Sequence, residues 1–203
     1  ELAAVAAKVS LEVDWQPFFL NHNTPAEGED LMEHLRAKYG PGVVAQFDRP
    51  DNPLDKAAGK VGITFNKQRR IIRTADSHRL VEWCKATAPQ QQDGLIEALF
   101  KAYFEDGKDL SQRAELVACA HASGLDGAAA GALIDSQEFV REVETKAKSW
   151  SRQGVSGVPF FVIYPASGGG DPVTFSGAQP SAVIAEVLTL SLIHISEPTR
   201  HSI

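Results

Sequence analysis

One stretch of the sequence restricts the possible folds more than any other: residues 154–163, which read GVSGVPFFVI. A loop of small residues passes directly into an apolar segment through the Val158–Pro159 bond. Because proline has no N–H to give to a sheet, a proline at the entrance of a strand marks an edge, a bulge or a special turn. The X-Pro bond is also the peptide bond that adopts the cis form at low cost. The run therefore predicts a strand that begins at a constrained turn.

Hydrophobic periodicity divides the rest of the chain into strand-like ends and a helical middle. Strict alternation predicts a strand near the start, with one face formed by Val9, Leu11, Val13 and Trp15. A second strand is predicted over 159–164, a turn over 167–172, a returning strand over 173–175, and a final helix with Pro180 in its first turn. An antiparallel strand pair followed by a helix is therefore expected near the end.

The middle of the chain carries successive helical stripes separated by glycine and proline. Residues 41–75 have an ambiguous pattern: they contain several turn-forming residues, and residues 62–65 are a candidate short strand. The helices are expected over about 31–39, from a cap at Asp76 or Ser77 to Thr87, over 95–107, from Ser111 to Gly124, over 126–134, and from Ser136 to Gly154.

Composition restricts the class of protein and its partners. The chain has 203 residues, 43% of them hydrophobic, which suffices for one substantial core with room for an inserted subdomain. The net charge is −6, and the sequence has no basic cluster, so we expect no nucleic-acid partner. No apolar run reaches membrane-spanning length, so we expect no membrane partner. We also expect a cytoplasmic location and no cofactor.

The two cysteines, Cys84 and Cys119, lie far apart in apolar helical patterns. This spacing is neither a disulfide framework nor a metal motif. We expect two buried, inert thiols, since free cysteine is among the most buried residue types. A disulfide between them, or a reactive thiol, are the alternatives. His22, His34 and His121 show no metal-ligand spacing and are expected at the surface, so no metal site is predicted.

Five segments, in order along the chain, resemble the DsbA-like thioredoxin family, in particular its FrnE-type branch of thiol–disulfide oxidoreductases. They cover residues 15–20, 74–80, 97–104, 157–163 and 175–180. The resemblance extends over nearly all of residues 1–190 and agrees with the layout derived from periodicity. The resemblance therefore concerns the whole fold.

This resemblance implies an α/β protein: a thioredoxin-like fold with a helical domain inserted between its two halves and the first strand missing. The expected divisions are an incomplete first half at 1–27, the inserted helical domain at 28–153 and the second half at 154–190. Residues 191–203 do not continue the helical pattern and resemble translated adaptor or vector sequence. We expect them to be a non-native tail.

The family also implies a Cys-x-x-Cys pair at the N-terminus of the fold's first helix, where the helix dipole lowers the pKa of the attacking thiol. That pair is not in this sequence. We therefore expect the chain to be a fragment truncated at its N-terminus, whose catalytic cysteines lie upstream and which is redox-inert at that site.

The remaining site residues follow from the same resemblance. Pro159 is expected to be a cis proline of the catalytic loop that holds the backbone of Val158 open for a substrate strand. Gly157, Val158 and Phe160 are expected to contact substrate beside it, together with His78 and Trp15. The structural alternatives are a proline that only shapes the strand entrance, a capping or core histidine, and core aromatic residues.

Three functions fit these features. The favoured one is a thiol–disulfide oxidoreductase acting on protein or small-thiol disulfides, with glutathione among the candidates. The second is a glutathione-dependent enzyme similar to 2-hydroxychromene-2-carboxylate isomerases and kappa-class glutathione transferases. These carry an acidic or Asp-Arg element after the hairpin, where this chain has the uncharged segment 176–180. The third is a non-catalytic binding module that keeps only the proline groove.

Overall fold

The computed structural model of the chain describes residues 11–165 and 171–193. It divides into two compact units, one made of residues 1–20 and 148–203 and the other of residues 21–147. The boundaries expected from the sequence, after residues 27 and 153, lie a few residues later in the chain than the boundaries of these units, after residues 20 and 147. Each unit is described by itself below.

The unit of residues 21–147 is mainly helical. Its strands β1 and β2 form a short antiparallel pair, with Glu29 opposite Ile71. In chain order its elements are β1 (Glu29–Asp30), α1 (Leu31–Tyr39), α2 (Pro41–Asp48), α3 (Pro53–Gly59), β2 (Arg70–Ile71), α4 (Ala75–Thr87), a 3-10 turn (Pro89–Gln91), α5 (Gln92–Phe100), a π-helical turn (Lys101–Glu105), α6 (Arg113–Ala122), α7 (Gly127–Asp135) and the beginning of α8 (Val140–Arg152).

The core of this unit lies between α4, α5, α6 and α7. Leu80, Leu95, Leu116 and Cys84 are completely buried there. They come from the apolar stripes that predict these helices, since residues three and four apart share one face of a helix. Each buried leucine stabilises the fold by roughly 2 kcal/mol relative to an exposed one.

The helix starts differ from the predictions where side chains have other partners. The N-cap of α4 is Thr74, because the Asp76 carboxylate instead accepts a 2.6 Å hydrogen bond from Arg79 within the first turn. The N-cap of α6 is Gln112, whereas the hydroxyl of Ser111 bonds to Asp109. The predicted helix ends at Tyr39, Thr87 and Ile134 agree with the structure to within one residue.

The strand predicted over 62–65 is wrong. The next residue, Asn66, donates its N–H to the carbonyl of Phe104, and the rings of Phe65 and Phe104 meet edge to face at 6.0 Å. The guanidinium of Arg69 lies 5.3 Å from the centre of the Phe104 ring. The π-helical turn therefore holds this segment through aromatic contacts instead of a strand ladder.

A buried carboxylate connects α4 to α8. Only 3% of Glu82 is exposed, and its two carboxylate oxygens accept hydrogen bonds from Lys85 and Lys146. A buried charge is tolerated when it is paired and hydrogen-bonded. Lys146 also reaches Glu142 one turn earlier on α8. The charge on Glu82 thus fixes α8 against α4.

The other unit contains the predicted hairpin and the final helix. Strands β3 (Phe160–Ile163) and β4 (Val173–Ser176) are antiparallel, as predicted, with Phe160 opposite Ser176. The rings of Phe161 and Phe175 stack across them at 4.7 Å. The turn predicted over 167–172 falls largely on residues 166–170, outside the described residues.

The last helix, α9 (Ser181–Ile193), begins one residue after Pro180. It extends into the predicted tail, so the prediction that residues 191–193 leave the helical pattern is wrong. Leucine is a strong helix former, and residues 181–193 contain no proline or glycine that would end the helix earlier. Residues 194–203 lie outside the described part of the chain.

The strand predicted over 9–15 is also wrong for its described part. Residues 11–16 belong to no strand, and Leu11, Val13 and Trp15 are all exposed. Alternation specifies which side chains share a face, but a strand also needs a ladder partner. The described residues provide no ladder partner for this segment, while residues 9 and 10 are not described.

Candidate functional site: the Pro159 loop

The loop before β3 is formed by the exit from α8. The backbone of Gly154 has a φ of 92°, a conformation that favours glycine, and Val155 then turns back to donate its N–H to the carbonyl of Trp150. Val155 is buried, which anchors the start of the loop. The chain then runs through Ser156 to the Val158–Pro159 peptide, which is cis as expected.

The end of β4 closes the other side of this loop. Past Ser176, the backbone of Gly177 has a φ of 81°, and its N–H donates a 2.8 Å hydrogen bond to the carbonyl oxygen of Pro159. This bond continues the hairpin beyond its last residue pair. The loop before β3 and the loop after β4 therefore stand side by side.

Between these loops lies an open pocket of about 320 Å³. It is lined by Gly154, Ser156, Gly157, Val158, Pro159, Phe160, Ser176 and Gly177. None of these lining residues carries a charge. Four of them, residues 157–160, are the loop residues that the sequence predicts as a site. The pocket can therefore recognise a ligand through shape and backbone groups, without an ion pair.

The pocket also contains residues that the sequence analysis missed. Ser176 and Gly177 enter it because the antiparallel register places Ser176 opposite Phe160. The hairpin predicted from the sequence already implies this contact, because in an antiparallel pair the end of the second strand lies beside the start of the first strand. Gly154 was interpreted only as the end of a helix, whereas it also lines the pocket.

The backbone of the loop is accessible beside Pro159. The side chain of Val158 is 53% exposed, although valine is usually buried. Within the described residues, the backbone groups of Gly157 and Val158 have no hydrogen-bond partner. Unpaired backbone groups at a strand entrance can bond to an added strand.

Comparison with protein families is decisive at this point. A DSBA-like thioredoxin domain matches residues 1–189. The chain belongs to the DSBA-like thioredoxin family. The expected thioredoxin-like α/β fold with an insertion rich in helices is thereby confirmed. No curated protein matches the chain.

Two solved structures resemble the DSBA-like chain. A probable DsbA oxidoreductase from Streptomyces coelicolor is 26% identical, with a TM-score of 0.80 over 100% of this chain and 83% of that one. A candidate protein disulfide isomerase from Nitrosomonas europaea is 16% identical, with a TM-score of 0.61 over 82% of this chain and 90% of that one. The second likeness concerns the fold alone.

The two thiols of the DSBA-like chain are buried and free, as predicted. The Sγ of Cys84 contacts the carbonyl of Ala88 at 3.5 Å, and that of Cys119 contacts the carbonyl of Ala98 at 3.7 Å. Burial raises the pKa of the Cys84 thiol. Burial, together with the Glu115 and Asp106 charges, raises the pKa of Cys119 to about 11. Since the thiolate is the nucleophile, neither group is prepared for exchange chemistry.

The remaining two predicted site residues lie outside the pocket lining. Trp15 is 37% exposed in a segment without regular structure, next to Gln16, whose side chain accepts a 3.4 Å hydrogen bond from Trp150. His78 belongs to the helical unit, where it is half-buried in the first turn of α4. Its backbone N–H donates a hydrogen bond to the carbonyl of Thr74. Their roles in substrate binding stay predictions.

The described residues contain neither a metal-ligand cluster nor a membrane-spanning helix. No group of three or more His, Cys, Asp or Glu side chains is arranged to hold a metal ion there. No described helix has both the length and the apolar character needed to cross a bilayer. The cytoplasmic location stays a prediction, which fractionation of cells expressing the chain can test.

Proposed function

We propose that this chain binds an extended, disulfide-containing polypeptide in the pocket beside Pro159 and holds it for thiol–disulfide exchange. The observation that carries the proposal is that the backbone groups of Gly157 and Val158, at the edge of an open pocket, have no hydrogen-bond partner among the described residues. A peptide laid along this edge would gain main-chain hydrogen bonds that do not depend on its sequence. Such recognition suits an enzyme that must accept many disulfides.

The family supports the chemical half of the proposal. In exchange, a thiolate attacks one sulfur of the substrate disulfide, forms a mixed disulfide and releases the other sulfur as a thiolate. A second thiolate then attacks the mixed disulfide and releases the substrate thiol, so that two electrons pass from the cysteine pair to the substrate. Oxidation of a substrate is the reverse of these steps.

Cys84 and Cys119 are too deeply buried to perform these steps, with 0% and 5% of each residue exposed. We therefore assign the exchanging pair to cysteines outside residues 1–203, consistent with the FrnE-type branch suggested by the sequence. The part assigned to this chain is the binding and positioning of the substrate.

The uncharged lining of the pocket favours a polypeptide over glutathione. Glutathione carries two carboxylates and an ammonium group, and its recognition requires charged partners that offset the loss of hydration. The eight lining residues offer only backbone groups, two serine hydroxyls and apolar surface. The glutathione-dependent alternative therefore has less support than the oxidoreductase.

Hydrogen–deuterium exchange tests the binding half of the proposal. The probe is insulin B chain with carbamidomethylated cysteines, an unfolded polypeptide whose blocked, uncharged cysteines cannot undergo exchange. We expect it to slow amide exchange at residues 156–158, 160 and 176–177. Protection confined to other segments, or no protection at saturating probe, would contradict the assigned groove. A non-catalytic binding module would show the same protection from exchange. It would differ in a second measurement, because a chain carrying an added cysteine pair would not accelerate the reduction of insulin.

A further inference from the structure

We propose that Gly157 is a specificity-determining residue whose missing side chain sets the size of the substrate residue that the pocket accepts. This inference rests on the function proposed above. It adds a particular residue and a particular property, namely a selection by side-chain volume next to the substrate sulfur.

Backbone conformation does not explain why residue 157 is glycine. The other two glycines in the pocket, Gly154 and Gly177, have φ angles of 92° and 81°, where residues with a side chain are strained. Gly157 lies outside that region of backbone conformation. An L-residue with a side chain can therefore adopt the backbone conformation of Gly157.

Packing does not explain it either. Among the described residues, a Cβ atom added at Gly157 would have no heavy atom within 4 Å apart from those of Gly157 itself and its two chain neighbours. By contrast, a Cβ at Gly28 would come within 2.7 Å of the carbonyl oxygen of Ile71. The fold thus leaves free space at residue 157, and because Gly157 lines the pocket, that space belongs to the pocket.

The consequence for a bound peptide follows from strand geometry. Successive side chains of an extended peptide point to opposite sides, so a peptide along Gly157 and Val158 directs every second side chain towards the pocket. A side chain at residue 157 would take part of the 320 Å³ available there. A large substrate residue would then be hindered more than a small one, because overpacking costs grow with the volume forced into a filled site.

Gly42 provides a matched control. It lies on the exposed surface of α2, a Cβ there also has nothing within 4 Å, and it lies outside the pocket lining. A change from glycine at residue 42 reproduces the general effect of adding a side chain, without the proposed effect on ligand size.

The test uses the full chain and two probe peptides of equal length that carry serine in place of cysteine. The residue next to this serine is alanine in one peptide and phenylalanine in the other. Their dissociation constants are measured by NMR titration, following the backbone amide signals of residues 156–158 and 160, for wild type and for Gly157→Val, Gly157→Ala and Gly42→Ala. We expect Gly157→Val to raise the ratio of the phenylalanine to the alanine dissociation constant about tenfold.

We expect Gly157→Ala to raise this ratio less and Gly42→Ala to leave it unchanged. An unchanged ratio in Gly157→Val with a folded spectrum would overturn the inference while leaving the groove intact. If Gly157→Val fails to fold, the ratio for Gly157→Ala decides in the same way. If the wild-type chain binds neither peptide at this loop, both the inference and the proposed function fail.

Discussion

The N–H of Gly177 donates a 2.8 Å hydrogen bond to the carbonyl oxygen of Pro159. It connects the segment after β4 to the entrance of β3, just beyond the pair formed by Phe160 and Ser176. The two walls of the pocket are therefore fixed to each other through the backbone. The carbonyl of Pro159 accepts this bond, whereas the backbone groups of Gly157 and Val158 have no partner in the described part of the chain and can bond to a ligand.

The conformation of Gly177 predicts a measurable cost of substitution. Its φ of 81° disfavours a side chain, so we expect Gly177→Ala to lower the free energy of unfolding by about 1 kcal/mol. Urea unfolding measures the change. Gly157→Ala is the matched control in the same pocket, and we expect it to be neutral or stabilising by up to about 0.5 kcal/mol. Equal losses in both variants would contradict this account of the two glycines.

The buried carboxylate of Glu82 predicts a larger loss. Glu82→Gln removes the charge that Lys85 and Lys146 share, and we expect the free energy of unfolding to fall by about 2 kcal/mol. The control is Asp135→Asn, because Asp135 and Arg113 form an exposed ion pair with side-chain exposures of 58% and 52%. Such surface pairs contribute less than about 1 kcal/mol. If both variants lost the same free energy of unfolding, burial of Glu82 would not be what makes its ion pairs more stabilising than the surface pair.

Burial of the thiols predicts slow chemical modification and, with it, an inactive chain. In the folded chain we expect Cys84 and Cys119 to react with a disulfide reagent at least about 100-fold more slowly than in concentrated guanidinium, because both thiols are enclosed and their pKa values are raised. The release of the reagent's coloured thiol follows both reactions. Rapid labelling of one thiol in the folded chain would identify it as a reactive cysteine.

For the same reason, residues 1–203 alone should not accelerate insulin reduction by dithiothreitol above the rate without protein, since the two thiols present are buried. Turbidity of the released B chain measures the rate. An acceleration that disappears in Cys84→Ser or Cys119→Ser would place the redox centre at one of these residues and contradict the proposed division of labour.

The raised pKa of the Cys119 thiol predicts a loss of stability at alkaline pH. Burial raises the pKa of this thiol from its ordinary value of 9.0 to about 11. Between these values the folded chain keeps a proton that the unfolded chain has lost, so the free energy of unfolding falls as pH rises through this range. Well below pH 9.0 the Cys119 thiol is protonated in both the folded and the unfolded chain, so its stabilising contribution is fully present there. Urea unfolding across the range should show a shallower decline for Cys119→Ala, and parallel declines would contradict the assignment.

Local patterns were sufficient to predict α1, α4 to α9 and the hairpin, whereas α2 and α3 lie in residues 41–75, where the sequence pattern is ambiguous. The stripe that includes Leu95 and Leu99 predicts α5 because one helix face is buried, and Phe161 and Phe175 lie in the two predicted strands that form the β3–β4 pair. The prediction failed for residues 11–16 and 62–65, where alternation or β-branched residues indicated strands. A strand forms only with a ladder partner, and that partner is not encoded within the segment itself.

The candidate site was predictable on one side only. Gly157, Val158, Pro159 and Phe160 are contiguous, so a single motif identifies them. Ser176 and Gly177 reach the pocket through the register of the hairpin. The open space at Gly157 depends on surrounding atoms from both loops, and no sequence pattern reports such space.

Binding of a polypeptide beside Val158 tests the central claim most directly. The measurement is the dissociation constant of carbamidomethylated insulin B chain for Val158→Asp, compared with wild type and with Val61→Asp, which changes a 72% exposed valine in the helical unit. We predict that Val158→Asp weakens binding about tenfold or more, because a carboxylate would lose hydration in the uncharged groove, while Val61→Asp leaves it unchanged. Equal affinities for wild type and Val158→Asp would contradict the assignment of the Pro159 loop as the substrate groove.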